Sequence, residues 1–163
     1  MILREQNVCL NAGEDALDFN LPDQDGNYVK LSNYYNDHNI VVTLNPGKLN
    51  DSCRDYLLFY KEHLMEFSAL DTLVLGINMD FVDVNKEWTE SIDGLGFPLL
   101  SDQSPLGGVT LKYDCFVPGE GYGKRAVFVI DKKGILRHIE VFSGDQGACP
   151  DLNSLLDVLR SLT

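Results

Sequence analysis

Apolar and polar positions follow two different periods along the chain, and these periods predict strands and helices. Consecutive apolar residues rich in β-branched side chains predict strands buried on both faces. Shorter alternating runs predict further strands, and residues 131–134 between two of them are typical of a β-hairpin turn. The predicted strands are residues 28–31, 39–45, 72–78, 126–130 and 135–141.

Apolar residues spaced three and four positions apart predict amphipathic helices. The first should begin beside Cys53 and continue to about residue 67, because Asp51 and Ser52 at the end of a predicted turn are good capping residues. The other predicted helices are residues 82–92, 106–113 and 152–162. This order of elements predicts an α/β fold with a central mixed β-sheet flanked by helices, in a single domain spanning residues 1–163.

Composition and charge exclude several classes of function. Among 163 residues there are 25 acidic and 13 basic side chains, and the formal charge of -12 would repel nucleic acid and anionic lipid. The N-terminal residues lack the apolar stretch of a signal peptide, and no later run reaches membrane-spanning length. We therefore expect a cytoplasmic protein that binds neither nucleic acid nor membrane.

Four isolated cysteines, Cys9, Cys53, Cys115 and Cys149, are the candidate reactive groups. They form no CxxC pair and show no zinc-binding spacing, so neither a metal site nor a cofactor is predicted. Cys53 differs from the others because it lies in the first turn of a predicted helix, where unpaired N–H groups and the helix dipole favour a thiolate.

The helix end alone is too weak to make a strong nucleophile of a thiol. Lowering a thiol pKa from about 8.5 to about 6 requires about 3.4 kcal/mol, whereas a helix terminus contributes about 0.3 to 2 kcal/mol. A positioned guanidinium would supply the rest, because it stays charged and donates hydrogen bonds to an oxyanion. Judged by its sequence neighbours alone, Cys53 fits buried packing as well as it fits a nucleophile.

Several short motifs occur in a recognisable order along nearly the whole chain. They are residues 13–19 with Leu21 and Asp23, 29–32, 46–53, 76–80, 97–102, and 124–131 with Gly134. In this order they resemble the peroxiredoxins of the alkyl hydroperoxide reductase and thiol-specific antioxidant superfamily. Residues 105–109 and Tyr113 make the chain similar in particular to the one-cysteine, alkyl hydroperoxide reductase E-like group.

The resemblance implies a thioredoxin-like fold and a thiol peroxidase that reduces hydrogen peroxide or organic hydroperoxides. In that family a proline shields the thiolate, a threonine bonds the reacting groups, a cysteine attacks the peroxide, and an arginine from a later strand binds both. Pro46, Cys53 and Arg125 match this pattern, whereas Asn50 stands at the threonine position. An amide divides donor and acceptor between two fixed atoms, so Asn50 only approximates a rotatable hydroxyl.

A sulfenic acid formed on Cys53 must be reduced by a second thiol. Some relatives carry a resolving cysteine five residues later, but that position holds Leu58. Buried packing is favoured for Cys115, Cys9 precedes the first matching stretch, and helix entry is favoured for Cys149 over a resolving role. We therefore expect an external reductant, which would be a thioredoxin-like or glutaredoxin-like protein or a small thiol. Relatives often pair as homodimers, and similar pairing is expected here.

The sequence leaves two other classes of protein open. A redox-inert thioredoxin-fold binding or scaffold protein is favoured by Asn50 and by the lack of an obvious resolving thiol. A disulfide-exchange enzyme is a weaker alternative, because no second cysteine follows Cys53 within three residues.

Overall fold

The computed structural model describes residues 12–45, 51–103, 109, 116–117, 122–123, 125–142 and 151–162. The strands are β1 (Asn20–Pro22), β2 (Tyr28–Lys30), β3 (Asn39–Leu44), β4 (Thr72–Asn78), β5 (Leu99–Ser101), β6 (Phe116–Val117), β7 (Tyr122–Gly123), β8 (Arg125–Ile130) and β9 (Leu136–Phe142). The helices are a 3-10 helix (Leu31–Tyr34), α1 (Asp51–Glu62), α2 (Leu64–Ser68), α3 (Val82–Ser91) and α4 (Leu152–Arg160).

Five of the strands form one mixed sheet in the order β5-β4-β3-β8-β9. The central strand β3 pairs parallel with β4 and antiparallel with β8. At the two edges of the sheet, β5 pairs parallel with β4 and β9 pairs antiparallel with β8. β1 and β2 form a separate antiparallel hairpin. The predicted mixed sheet is confirmed, as is the hairpin around residues 131–134.

Both faces of the sheet are buried, which explains the unbroken apolar runs of β3 and β4. On one face, Val42 belongs to a cluster that includes Leu21 of the β1–β2 hairpin. On the other face, Val41 packs in a cluster with Tyr56 of α1 and Leu155 of α4. The side chains of β3 therefore alternate between a layer built on the hairpin and a layer built on helices.

The helix predicted to continue to about residue 67 divides at His63. The backbone there is not helical, with φ -116° and ψ 16°. The His63 ring lies 5.1 Å from the Phe59 ring, and its Nδ1 lies 3.0 Å from Glu66 Oε1. In the second segment Phe67 is fully buried, whereas Met65, two positions earlier, is 84 % exposed. The prediction of one continuous helix was wrong.

The other differences between the predicted and the observed elements are smaller. The strand predicted at residues 28–31 ends one residue early, since Leu31 begins the 3-10 helix, and β1 was not predicted. The helix predicted at residues 106–113 lies outside the described residues, apart from Val109, which is helical. No helix within the described ranges has both the length and the apolar character needed to cross a bilayer.

Candidate active site

Helix α1 follows β3 in the chain and carries Cys53 in its first turn. The helix begins at Asp51, so Asp51 and Ser52 are its first two residues rather than caps outside it, and Cys53 is the third. The N–H groups of a helix's first turn have no partner within the helix and carry the positive end of its dipole. The backbone at position 53 therefore has the electrostatic setting that the sequence predicted for it.

Arg125 is held against the same helix. It is the first residue of β8 and only 9 % exposed. Its Cζ lies 5.1 Å from the centroid of the Tyr56 ring, an arrangement in which the cation is attracted to the ring face. Tyr56 follows Cys53 by three residues, and positions three apart share one face of a helix. The guanidinium thus lies on the face of α1 that carries positions 53 and 56.

A buried asparagine at the end of β3 faces the same region, and sequence reasoning missed it. Asn45 is 1 % exposed, and its N–H donates to Ile77 O at 2.8 Å, which extends the pairing of β3 with β4. The antiparallel register pairs Leu44 with Ala126, so Asn45 stands opposite Arg125. The sequence signal that could have identified Asn45 is a polar residue at the end of a long apolar run.

Further buried polar groups gather at the carboxyl ends of β4 and β5. The side-chain amides of Asn78 and Asn85 exchange hydrogen bonds of 2.8 and 2.9 Å, and Asn85 Nδ2 also donates to Ser101 Oγ at 3.0 Å. Beside them, Asp102 Oδ1 accepts from Val109 N–H at 2.9 Å. The bonds of Asn85 fix α3 to the carboxyl ends of β4 and β5.

The structure describes only some of the other predicted site residues. Pro46 and Asn50 lie outside the described residues, as do Cys9, Cys115 and Cys149, and the description of Cys53 is limited to its backbone. Leu58 is half-buried on α1. Arg54, the residue after Cys53, is half-buried, and its Nε is fully buried.

Comparisons with known proteins agree on one family. The AhpC/TSA family model matches residues 12–139. Alkyl hydroperoxide reductase E of Mycobacterium tuberculosis is 34% identical over 154 residues, which cover 94% of this chain and 99% of the relative. A putative peroxiredoxin of Synechocystis is 30% identical over 162 residues, covering 94% of this chain and 78% of the relative.

Solved structures of peroxiredoxins are also similar to this chain. The crystal structure of the peroxidoxin BcpB from Mycobacterium tuberculosis matches with a TM-score of 0.79 and 26% identity, over 94% of this chain and 99% of that one. A yeast mitochondrial 1-Cys peroxiredoxin shares the fold with a TM-score of 0.81 at 22% identity, over 94% of this chain and 76% of that one.

The chain therefore belongs to the AhpC/TSA family of peroxiredoxins, with the thioredoxin-like fold that the sequence implied. It is a thiol-dependent peroxidase, an oxidoreductase that acts on peroxides. Nothing in the comparisons favours the redox-inert scaffold that the sequence had left open.

Proposed function

We propose that Cys53 is the peroxide-reacting thiol of this enzyme, that Arg125 binds both its thiolate and the peroxide, and that Pro46 and Asn50 complete the site. The observation that carries the proposal is the Arg125 guanidinium on the Tyr56 ring, one helical turn beyond Cys53. An arginine stays charged at every pH at which a protein is folded, so it favours the thiolate over the thiol.

The reaction is a displacement at oxygen. The Cys53 sulfur attacks the hydroxyl-bearing oxygen of R–O–O–H, the S–O bond forms and the O–O bond breaks. The attacked oxygen keeps its hydrogen and becomes the sulfenic acid, while the leaving R–O⁻ takes a proton from water and departs as alcohol, or as water when the peroxide is hydrogen peroxide. Sulfur loses two electrons and the peroxide gains them.

The oxidised enzyme returns to the thiol through an external reductant. One thiol condenses with the sulfenic acid to a mixed disulfide and water, and a second thiol releases Cys53. Leu58 on α1 supports this route, because a leucine there cannot resolve the sulfenic acid within the helix. A thioredoxin-like or glutaredoxin-like protein or a small thiol has the required chemistry.

The proposal also covers the location, the assembly and the substrates of the enzyme. We place the enzyme in the cytoplasm, as a single domain over residues 1–163 that contributes to redox homeostasis, because free cysteines persist in a reducing compartment. Two copies are proposed to pair as a homodimer, as in many peroxiredoxins. The substrates are hydrogen peroxide and organic hydroperoxides, in keeping with the relative named alkyl hydroperoxide reductase E.

Stopped-flow oxidation with stoichiometric hydrogen peroxide tests the assignment, with sulfenic acid trapped by dimedone and located by mass spectrometry. Cys53→Ser should abolish the fast phase, whereas Cys9→Ser, Cys115→Ser and Cys149→Ser should leave it unchanged. Arg125→Lys should slow it, since an ammonium retains the charge but not the planar fork. Asn50→Thr should quicken it by restoring a hydroxyl. A fast phase that survives in Cys53→Ser would refute the assignment.

A further inference from the structure

Asn45 carries a buried hydrogen-bond acceptor that its surroundings leave unused. The side chain is 1 % exposed, and within the described ranges no group donates to Oδ1. A buried amide oxygen without a donor costs about 1 to 3 kcal/mol. Such groups are uncommon in folded proteins and each calls for an explanation.

The orientation of the amide follows from its own hydrogen bonds. Asn45 Nδ2 donates to Thr43 O at 3.3 Å and to Thr43 Oγ1 at 3.1 Å. A carbonyl only accepts, so the atom facing Thr43 O must be the nitrogen, and the oxygen points away from Thr43. The unpartnered atom is therefore an acceptor.

This acceptor lies on the face of the sheet that carries the proposed site. Thr43 is opposite Val127, and Val127 packs in the same cluster as Tyr56. Side chains two apart on a strand share a face, so Asn45 lies on that face as well, opposite Arg125. Tyr56 holds the Arg125 guanidinium one helical turn beyond Cys53.

We propose that Asn45 Oδ1 accepts the hydrogen of the substrate's O–H group and so turns the hydroxyl-bearing oxygen toward Cys53. This inference rests on the proposed function. A hydroperoxide R–O–O–H has one O–H donor, whereas the Arg125 guanidinium only donates, and Asn50 lies outside the described residues. Asn45 adds an acceptor at the sheet end opposite that arginine. The attacked oxygen keeps its hydrogen through the displacement, so the contact persists from the bound peroxide to the sulfenic acid.

The test separates reaction with peroxide from reactivity of the thiolate. In Asn45→Leu, the second-order rate constant for hydrogen peroxide should fall roughly ten- to a hundredfold, the effect of losing one hydrogen bond at the reacting centre. The rate of alkylation by iodoacetamide, which needs the thiolate but has no peroxide O–H, should stay within about twofold of wild type.

Asn39→Leu is the matched control. Asn39 lies at the other end of β3, is also 1 % exposed, and has a buried Nδ2 to which no described group offers an acceptor. It should change stability as Asn45→Leu does and leave both rates unchanged. Asn45→Ala, which adds no bulk, replaces the leucine variant if the latter does not fold.

The other possible results would overturn either the role of Asn45 or the proposed function. If the peroxide rates of the Asn45 and Asn39 variants agree, or if peroxide and alkylation rates fall together, the proposed role of Asn45 is overturned. A wild-type enzyme that fails to oxidise at Cys53 would instead overturn the proposed function, so the two failures are distinguishable.

Discussion

At the scale of single residues, the Asp131 carboxylate accepts hydrogen bonds from the turn that follows it and from Arg137. Its Oδ1 accepts from the N–H groups of Lys133 at 2.8 Å and Ile135 at 3.0 Å, and its Oδ2 accepts from Arg137 Nε at 2.7 Å. Burial acts to raise the pKa of this carboxyl, but the bonds from Ile135, Arg137 and Lys133 outweigh it and lower the pKa. The carboxylate therefore stabilises the turn between β8 and β9.

Because the folded-state pKa of Asp131 is lowered, its contribution to stability is complete above the ordinary aspartate pKa of about 4. It is lost as the pH falls through the lower folded-state value. We expect Asp131→Asn to reduce the free energy of unfolding by about 1 to 3 kcal/mol at pH 7. The deficit should begin to shrink below pH ~4, where the unfolded wild-type chain takes up a proton at Asp131, and should disappear once the folded carboxylate is protonated as well.

Urea unfolding at a series of pH values checks this prediction. Asp71→Asn is the control, because within the described ranges the Asp71 carboxylate makes an exposed ion pair with Lys132 at 3.3 Å. Exposed ion pairs of this kind contribute little to stability. A deficit for Asp131→Asn that is the same at pH 3 and pH 7 would show that shape, not charge, is what matters at this position.

At the scale of elements, Gly134 couples the β8–β9 turn to the end of the 3-10 helix. Its φ is +81°, and a Cβ there would lie 2.6 Å from Tyr35 Cε2. Gly26 in the β1–β2 turn has nearly the same φ, +84°, but a Cβ there would meet nothing within 4 Å. The two glycines therefore separate backbone strain from steric overlap.

We expect Gly26→Ala to cost about 1 to 2 kcal/mol, the strain of a left-handed backbone. Gly134→Ala should cost about 1 to 3 kcal/mol more, since the Tyr35 ring must move. Urea unfolding of both variants measures the difference. Replacing Tyr35 by leucine should reduce the extra cost at Gly134, and equal costs for the two alanine variants would contradict the overlap.

The strength of local signals decided which elements the sequence could predict. β3 and β4 are consecutive apolar runs with both faces buried, and their predicted positions agree with the structure to within one residue. The break at His63 could not be predicted, because the helical period continues through Leu64 and Phe67 with no glycine or proline between. The turn geometry there depends on contacts of the His63 ring with its neighbours.

The residues of the candidate site likewise divide into those with a local sequence signal and those without one. Cys53 and Arg125 could be proposed from ordered motifs, with no knowledge of which strands pair. Asn45 could not, because its importance depends on the register that sets Leu44 against Ala126. Long-range pairing of this kind leaves no periodic trace in either strand.

At the scale of the whole molecule, the charge of -12 should favour neutral peroxides over anionic ones. For a fatty-acid hydroperoxide bearing a carboxylate, we expect the rate of enzyme oxidation to rise a few-fold as salt shortens the screening length from about 30 Å at 0.01 M to about 8 Å at 0.15 M. The rate with neutral tert-butyl hydroperoxide should stay constant. Stopped-flow oxidation across this range measures both, and a rate for the anionic peroxide that falls with salt would point to a dominant local positive field.

The central position of β3 also affects the order in which the reactive centre is assembled. β3 and α1 are made early, but Arg125 enters the sheet only when β8 pairs with β3, with Ile40 against Ile130. While the chain is still emerging from the ribosome and β8 has not been made, Cys53 lacks the guanidinium. On the proposed assignment, a nascent chain or a chain truncated before β8 carries a thiol of ordinary reactivity. Peroxide should therefore oxidise Cys53 rapidly only after β8 has been made and has paired with β3.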